Sequence, residues 1–273
     1  MKKSLRALFE EEHITHAALL PFSLCRVTHA RLYERASLVA QSVIVFLIPY
    51  FVDTPDNFSA YAASEDYHLY VKELSARLLP RMEELFPGHR FLCYADHSPI
   101  DERHAAVIGG LGVYGRNGLL LSEEYGTYQF IGEILTDAPC EALGKESVFP
   151  VRGCEDCGAC LRACPTGILR GKGEECLSAI TQKKGKLTDE EQTLMRTENT
   201  AWGCDACQRV CPYTRRAEAC GTIITPIPFF HRARITHFSA EMLASLDDEA
   251  FARRAFSWRG RAVAERNARV LEK

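Results

Sequence analysis

Helix-period and strand-period patterns interleave through the first 140 residues. A charged amphipathic stretch opens the chain at Lys2 to Glu12, and apolar runs follow at Ala17 to Phe22 and Ser42 to Pro49. The pattern predicts a long helix from about Ala60 to Leu85, kinked at Pro80. It then predicts strands at Phe91 to Ala95, Gly118 to Leu121 and Tyr128 to Leu135. Periodicity fades between Pro139 and Val151, which places a domain boundary there. Beyond it, helices are expected near Thr188 to Glu198, Ala240 to Phe256 and Gly260 to Leu271. The fold class is therefore α+β: a mixed sheet with flanking helices over residues 1–150, a cysteine-bearing domain over 151–220 and a helical segment over 221–273.

At 273 residues and 47% hydrophobic content the chain can bury a sizeable core. Its longest apolar stretch, Val43 to Tyr50, is too short to span a bilayer. Glu10, Glu11 and Glu12 precede any long apolar run, so no secretory signal is expected. The net charge of −3 advertises no polyanion partner for the whole molecule. Charge is uneven, however. Arg253, Arg254, Arg259, Arg261, Arg266, Arg269 and Lys273 crowd the end of the chain against Glu265 and Glu272, with Arg215, Arg216, Arg232 and Arg234 upstream. Such a stripe either holds phosphates or is a helix face whose arginines lie over the core.

The twelve cysteines carry the strongest signal. Cys154-x-x-Cys157-x-x-Cys160-x-x-x-Cys164-Pro165 is answered by Cys204-x-x-Cys207-x-x-x-Cys211-Pro212. A cubane needs four converging thiolates. A tight loop with cysteines at two-residue gaps supplies three corners, and the following Cys-Pro ligates the other cluster of a pair. Two [4Fe–4S] clusters need eight ligands and the motifs supply seven, which leaves Cys176, Cys140 and Cys220 as candidates for the eighth. Cys176 is preferred because it lies between the motifs. One cluster is then assigned Cys154, Cys157, Cys160 and Cys211, the other Cys164, Cys176, Cys204 and Cys207. Zinc is the alternative for paired Cys-x-x-Cys hooks, but it fits four thiols within eleven residues poorly. Ligand thiolates must stay reduced, which points to the cytosol.

Gly110-Leu-Gly112-Val-Tyr-Gly115 satisfies a dinucleotide-binding pattern, but the segment before it, Asp101 to Ile108, reads as a helix and a strand follows. That is the wrong setting, so the glycines more simply allow tight turns or close backbone approach. The polar cluster Asp96-His97-Ser98-Pro99-Ile100-Asp101-Glu102-Arg103 follows a strand end, where active-site groups gather. Electron-driven reductions consume protons, and a carboxyl whose pKa is raised by burial can supply one. Asp96 is the proton-donor candidate; the plainer reading is that Asp96 or Asp101 caps the helix behind it.

This loop, together with Gly110 to Asn117, Tyr125-Gly126, Gly132-Glu-Ile-Leu-Thr-Asp137 and both cysteine motifs, resembles epoxyqueuosine reductase. The likeness runs from about Ser42 to Pro212, and Arg261 to Leu271, with Arg266-Asn267, is similar to that family's carboxy-terminal helix. The resemblance implies a cobalamin-binding type of domain followed by a bacterial ferredoxin-type 2[4Fe–4S] domain. It implies an iron–sulfur, cobalamin-dependent oxidoreductase that reduces epoxyqueuosine in tRNA to queuosine. It assigns the acid to Asp96, in the family's Asp-x-x-Pro-x-x-Glu-Arg pattern, and corrin contacts to Leu120, Ile131 and Ser178. Cobalamin cannot be read from the chain directly, for no Asp-x-His-x-x-Gly motif is present. A low-potential electron donor and tRNA, met through the arginine-rich tail, are the implied partners.

The chain also departs from the family. Tyr61-Ala-Ala-Ser64-Glu65-Asp66-Tyr67-His68 replaces a glycine with Ser64 and an arginine with Glu65. The region before Ser42 is shorter than the family's, and no helical-repeat extension follows Leu271, so the resemblance is to a shortened member whose substrate is open. Alternatives from other classes are an iron–sulfur electron-transfer protein without cobalamin, and a related corrinoid reductase acting on another substrate, such as a reductive dehalogenase-like enzyme.

Overall fold

The computed structural model describes residues 1–272, so Lys273 of the basic tail lies outside the described residues. Its strands are β1 (Ala17–Pro21), β2 (Ser42–Pro49), β3 (Phe91–Ala95), β4 (Val113–Tyr114), β5 (Leu120–Leu121) and β6 (Gln129–Thr136). β1, β2, β6 and β3 form one four-stranded sheet in that order, and β4 and β5 form a small hairpin. Every pairing in the larger sheet is antiparallel, so the sheet is not the mixed one expected. Direction cannot be read from strand patterns when each connection is long enough to return the chain either way. β2, Ser-Val-Ile-Val-Phe-Leu-Ile-Pro, is buried at all eight positions, as a β-branched run in a sheet covered on both faces should be.

Two compact units divide the chain, and their boundaries do not follow sequence order. One comprises Met1–Pro49 with Tyr70–Asp156, the other Tyr50–Leu69 with Cys157–Lys273. In the first unit the helix Lys3–Glu11 buries Leu5, Leu8 and Phe9, and Phe9 meets Phe46 edge-on at 5.4 Å between ring centres. Phe46 is paired across the sheet with Gly132, where a Cβ would come within 2.4 Å of its ring. The opposite face carries Val43, Val45, Leu47, Ile131 and Leu135, packed with Ala105 to Ile108 of the helix Glu102–Ile108. The predicted long helix begins at Tyr67, after a 3₁₀ turn at Ala60–Ala62, and runs through Pro80 to Leu85.

The second unit is built around Trp202, Phe238, Phe251, Phe256, Val263, Ala264 and Ala268. The closing helix Arg261–Leu271 therefore belongs to the same core as the segment Tyr50–Leu69, whose Phe58, Ala62 and Ala63 join that cluster. The single helix expected over Ala240–Phe256 is two, Ala240–Ser245 and Asp248–Ala252. Between them Leu246 is extended, and Asp247 starts the second helix by accepting the Ala250 N–H at 2.7 Å. No helix among the described residues is long and apolar enough to cross a membrane.

Candidate functional site

Short helices carry the cysteines of the second unit. Ala159–Ala163 leads to Cys164, Ala206–Arg209 bears Cys207, and Pro212–Cys220 starts directly after Cys211. Cys-Pro works here as a helix starter: proline occupies the first helical position, where no N–H is needed. Gly203, before Cys204, sits at φ +68 with its N–H on the Thr181 hydroxyl at 3.0 Å; a Cβ there would fall 2.5 Å from that of Ser59. Asp205, beside it, is buried and accepts the Ala60 N–H at 2.8 Å and the Gln208 side-chain amide at 2.7 Å. Burial still pushes its carboxyl up, against these bonds and that of Ser59. The turn that presents Cys204 and Cys207 is thus anchored on the segment Ser59–Ala60, a dependence the cysteine spacing could not reveal.

Thiol electrostatics show which cysteines face one another. Burial pushes Cys204 up to about 11, with the neighbouring Cys176 adding to the effect. Cys207 is pushed to about 12 by burial, then by Cys204, Cys176 and Cys160. Such thiols ionise only when a metal takes the charge. Cys164 behaves oppositely: burial raises it, but N–H groups of Leu169, Gly167 and Thr166 and the Thr166 hydroxyl outweigh that and bring it below the ordinary value. Donors converging on sulfur in this way suit a cluster ligand. Cys154 and Cys157 lie on either side of the division between the units, Cys154 with its N–H on the Tyr114 carbonyl at 2.8 Å. Among the described residues no group of three or more His, Cys, Asp or Glu is drawn together tightly enough for a single metal ion. A cubane, whose iron corners stand apart, sets its ligands wider than one ion does. Of the other candidates for the eighth ligand, Cys140 accepts the Ser42 hydroxyl at 3.3 Å in the first unit and Cys220 is exposed at a helix end.

The acidic loop lies in the first unit, directly after β3. Asp96 is exposed, at φ +63, with the His97 N–H turned back to the Ala95 carbonyl at 2.7 Å. Aspartate tolerates that left-handed conformation better than most residues. Pairing of Val27 with Ile100, and of the Thr28 and His29 N–H groups with the Pro99 carbonyl, holds the rest of the loop. Asp101 caps the helix Glu102–Ile108, accepting the His104 N–H at 3.0 Å. The capping role therefore falls to Asp101 and leaves Asp96 outside the helix. The burial expected at Asp96 falls instead on two residues that sequence reasoning missed. Glu102 accepts the Asp96 N–H at 3.0 Å, and burial raises its carboxyl to about 7. Glu133, in the middle of β6, is fully buried, and burial followed by the Glu102 charge lifts it well above the ordinary range. A lone carboxylate in the apolar run Phe-Ile-Gly-Glu-Ile-Leu was the available signal.

Leu120 and Ile131 share one apolar cluster in the first unit, both largely buried. Ser178 belongs to the second unit; it is half-buried, and its hydroxyl accepts the Gln182 amide at 3.1 Å. Gly110 and Gly112 serve the hairpin. Gly110 sits at φ +77, and a Cβ on Gly112 would lie 2.5 Å from the Leu121 carbonyl. Of the tail arginines, Arg254 donates to Ala233, Arg261 to Leu243 and Leu246, and Arg266 to Lys183 and Gly185, all at backbone carbonyls. Arg253 grips Glu65 through both carboxylate oxygens, which holds Glu65 below its usual value. The reversed charge at Glu65 is thus met within the second unit.

A cysteine-bounded module of this kind, with an α+β sheet domain ahead of it, defines a double-cluster iron–sulfur protein. Residues 153–214 match the model of the 4Fe-4S double cluster binding domain. The chain is 33% identical over 214 residues to the epoxyqueuosine reductase of Listeria monocytogenes, covering 76% of this chain and 54% of that protein. A solved epoxyqueuosine reductase from Bacillus subtilis, with its catalytic aspartate loop swung out of the active site, superposes with a TM-score of 0.73 at 23% identity, over 97% of this chain and 80% of that one. A second, solved with an epoxyqueuosine-modified tRNA-Tyr stem loop, gives 0.72 at 22% identity, over 97% and 80%. The chain is thus similar in sequence, and in fold, to epoxyqueuosine reductases. It spans 45% to 61% of the length of these curated relatives.

Proposed function

We propose that the protein is an iron–sulfur, cobalamin-dependent reductase that converts the epoxide of epoxyqueuosine in tRNA to the alkene of queuosine. The observation that carries this reading is the kinship just described, combined with an exposed aspartate on a turned-out loop after β3. The Bacillus subtilis reductase has its own catalytic aspartate on a mobile loop. Opening an epoxide to an alkene consumes two electrons and two protons and releases water. Cys154, Cys157, Cys160 and Cys211 would hold one [4Fe–4S] cluster, and Cys164, Cys176, Cys204 and Cys207 the other; the mutual influence of Cys176, Cys204 and Cys207 supports the second set. The Cys160 influence on Cys207 fits ligands of two adjacent clusters. Bound cobalamin would supply the low-potential reducing centre. Leu120 and Ile131 suit the apolar face of a corrin, and Ser178 offers it a hydroxyl. Asp96 gives a proton to the departing oxygen.

The substrate is a tRNA by analogy with the relative solved on a stem loop. Arg254, Arg261 and Arg266 are committed to carbonyls, so contact with RNA phosphates by the tail falls to other groups such as the exposed Arg269 and the half-buried Arg259, stacked 3.7 Å over the exposed Trp258. The need for reduced thiolate ligands supports a cytosolic location, and the reaction calls for a low-potential electron donor. The test is anaerobic turnover of an epoxyqueuosine-bearing anticodon stem loop by cluster-loaded protein with cob(II)alamin and a chemical reductant. Queuosine should form, and Asp96→Asn should lower the rate by about 10²–10⁴-fold. Full activity without cobalamin, or in Asp96→Asn, refutes the assignment.

A further inference from the structure

Two protons are needed for each epoxide reduced, and Asp96 carries at most one. The nearest carboxyl is Glu102, which takes the backbone N–H of Asp96 at 3.0 Å. Behind it stands Glu133. In β6 this residue is paired across the sheet with Val45 on one side and Tyr94 on the other, between Ile131 and Leu135 on the same face. It is 0% exposed, no well-formed hydrogen bond reaches either carboxylate oxygen among the described residues, and the Ser98 hydroxyl is the one donor that bears on it, too weakly to offset burial. An ionised carboxylate in such a place costs several kcal/mol. The groups bearing on the pair are Asp96, Ser98 and Asp101 from the loop, Arg103 next along the helix, and Tyr94, Cys93 and Cys25 from the flanking segments. Arg103 is the one cation among them, and its guanidinium donates to the Gly118 carbonyl at 2.6 Å. A fully buried carboxyl and a half-buried one so arranged cannot both be charged.

We propose that Glu102 and Glu133 form a buried proton-holding pair that both positions the Asp96 loop and resupplies Asp96 between the two protonations. This rests on the reductase reading for its purpose, but not for its chemistry. When Asp96 has given its proton to the leaving oxygen it is a carboxylate. Glu102, as the neutral acid, passes its proton to Asp96 and becomes the carboxylate itself. Burial disfavours the charge on Glu102, which is quickly quenched by a proton from solvent, and while that charge lasts it keeps Glu133 neutral. No electrons move in these steps. The arrangement explains why a carboxyl side chain, rather than any neutral acceptor, lies on the N–H of the donor residue.

The test has one arm that needs no substrate. Infrared titration of the cluster-loaded protein, from about pH 5 to about pH 9, should show protonated-carboxyl absorption that disappears with a midpoint near neutrality and is absent in Glu102→Gln. A second carboxyl band should persist above that midpoint and vanish in Glu133→Gln, a change that conserves volume. With the titration extended to more alkaline pH, the Glu133 band should be lost at lower pH in Glu102→Gln than in the wild type, because the Glu102 charge that keeps Glu133 protonated is gone. Absence of a protonated carboxyl at neutral pH, or a Glu133 band indifferent to Glu102→Gln, overturns the pair. The second arm is the pH profile of single-turnover reduction. Its alkaline limb should be lost in Glu102→Gln and kept in Glu102→Asp, which retains the acid. An unchanged profile in Glu102→Gln overturns the relay even if the infrared bands behave as expected. If the bands are as described but the wild-type protein reduces no epoxyqueuosine, the pair stands and the reductase assignment fails.

Discussion

Replacing Glu102 by glutamine should stabilise the first unit, and only at neutral and alkaline pH. Gln still offers a carbonyl oxygen to the Asp96 N–H, so the loop contact survives while the titrating group goes. Burial lifts the Glu102 carboxyl from an ordinary 4.5 to about 7 in the folded protein. Because the folded pKa is the higher one, folding is favoured by protonation. The wild-type protein is at its best, as far as this group is concerned, below the unfolded pKa. It loses stability as pH rises through the interval from 4.5 to about 7 and loses no more above it. At about 1.4 kcal/mol per pH unit the interval is worth at most about 3 kcal/mol. The variant lacks this loss, so its advantage should approach about 3 kcal/mol near pH 8 and shrink to below about 1 kcal/mol near pH 5. Hydrogen exchange of β3 and β6 amides in the cluster-loaded protein reads this, comparing variant and wild type at the same pH so that intrinsic exchange cancels. Protection near pH 8 should rise by about a hundredfold. Equal protection at both pH values, or a gap that does not change with pH, would refute the account of Glu102 as a buried neutral acid.

Other consequences are as direct. Gly203→Ala puts a methyl 2.5 Å from the Ser59 Cβ at a φ of +68, and should cost about 2 kcal/mol or more together with part of the iron; thermal melting and iron analysis read both. Cys164→Ser should lower iron and acid-labile sulfide by about half, since it strips one cluster of a ligand; a full complement of both would remove Cys164 from the ligand set. Glu65→Arg sets a fourth cation among Arg253, Arg232 and Arg254, and should destabilise the second unit by about 3 kcal/mol in urea unfolding. Were the variant as stable as the wild type, the Arg253–Glu65 pair would have no structural weight.

Local signals settled much of this protein. Phe91–Ala95 is a strand with the bounds its β-rich, turn-flanked pattern gives, and the helices Asp189–Thr197 and Arg261–Leu271 fall within a residue or two of their caps. Capping chemistry is local: Thr188 and Glu191 form a reciprocal box that any reading of four adjacent residues can find. The cysteine spacing fixed the double-cluster module for the same reason, since ligand geometry around a cubane constrains gaps of two and three residues. What needed the folded chain was everything set by partners far apart in sequence. The antiparallel order β1-β2-β6-β3 depends on how loops return, and the placement of Tyr50–Leu69 with the cysteine module depends on Ser59 and Ala60 reaching Asp205. On sequence Arg254, Arg261 and Arg266 suit a phosphate-holding stripe and a face lying over the core equally, and only their carbonyl acceptors favour the second. The polar Asp96 loop was legible at its strand end, but the raised carboxyls behind it were not. Burial is a property of the whole sheet face, and only tertiary packing takes Glu133 out of water and sets Glu102 against the Asp96 amide.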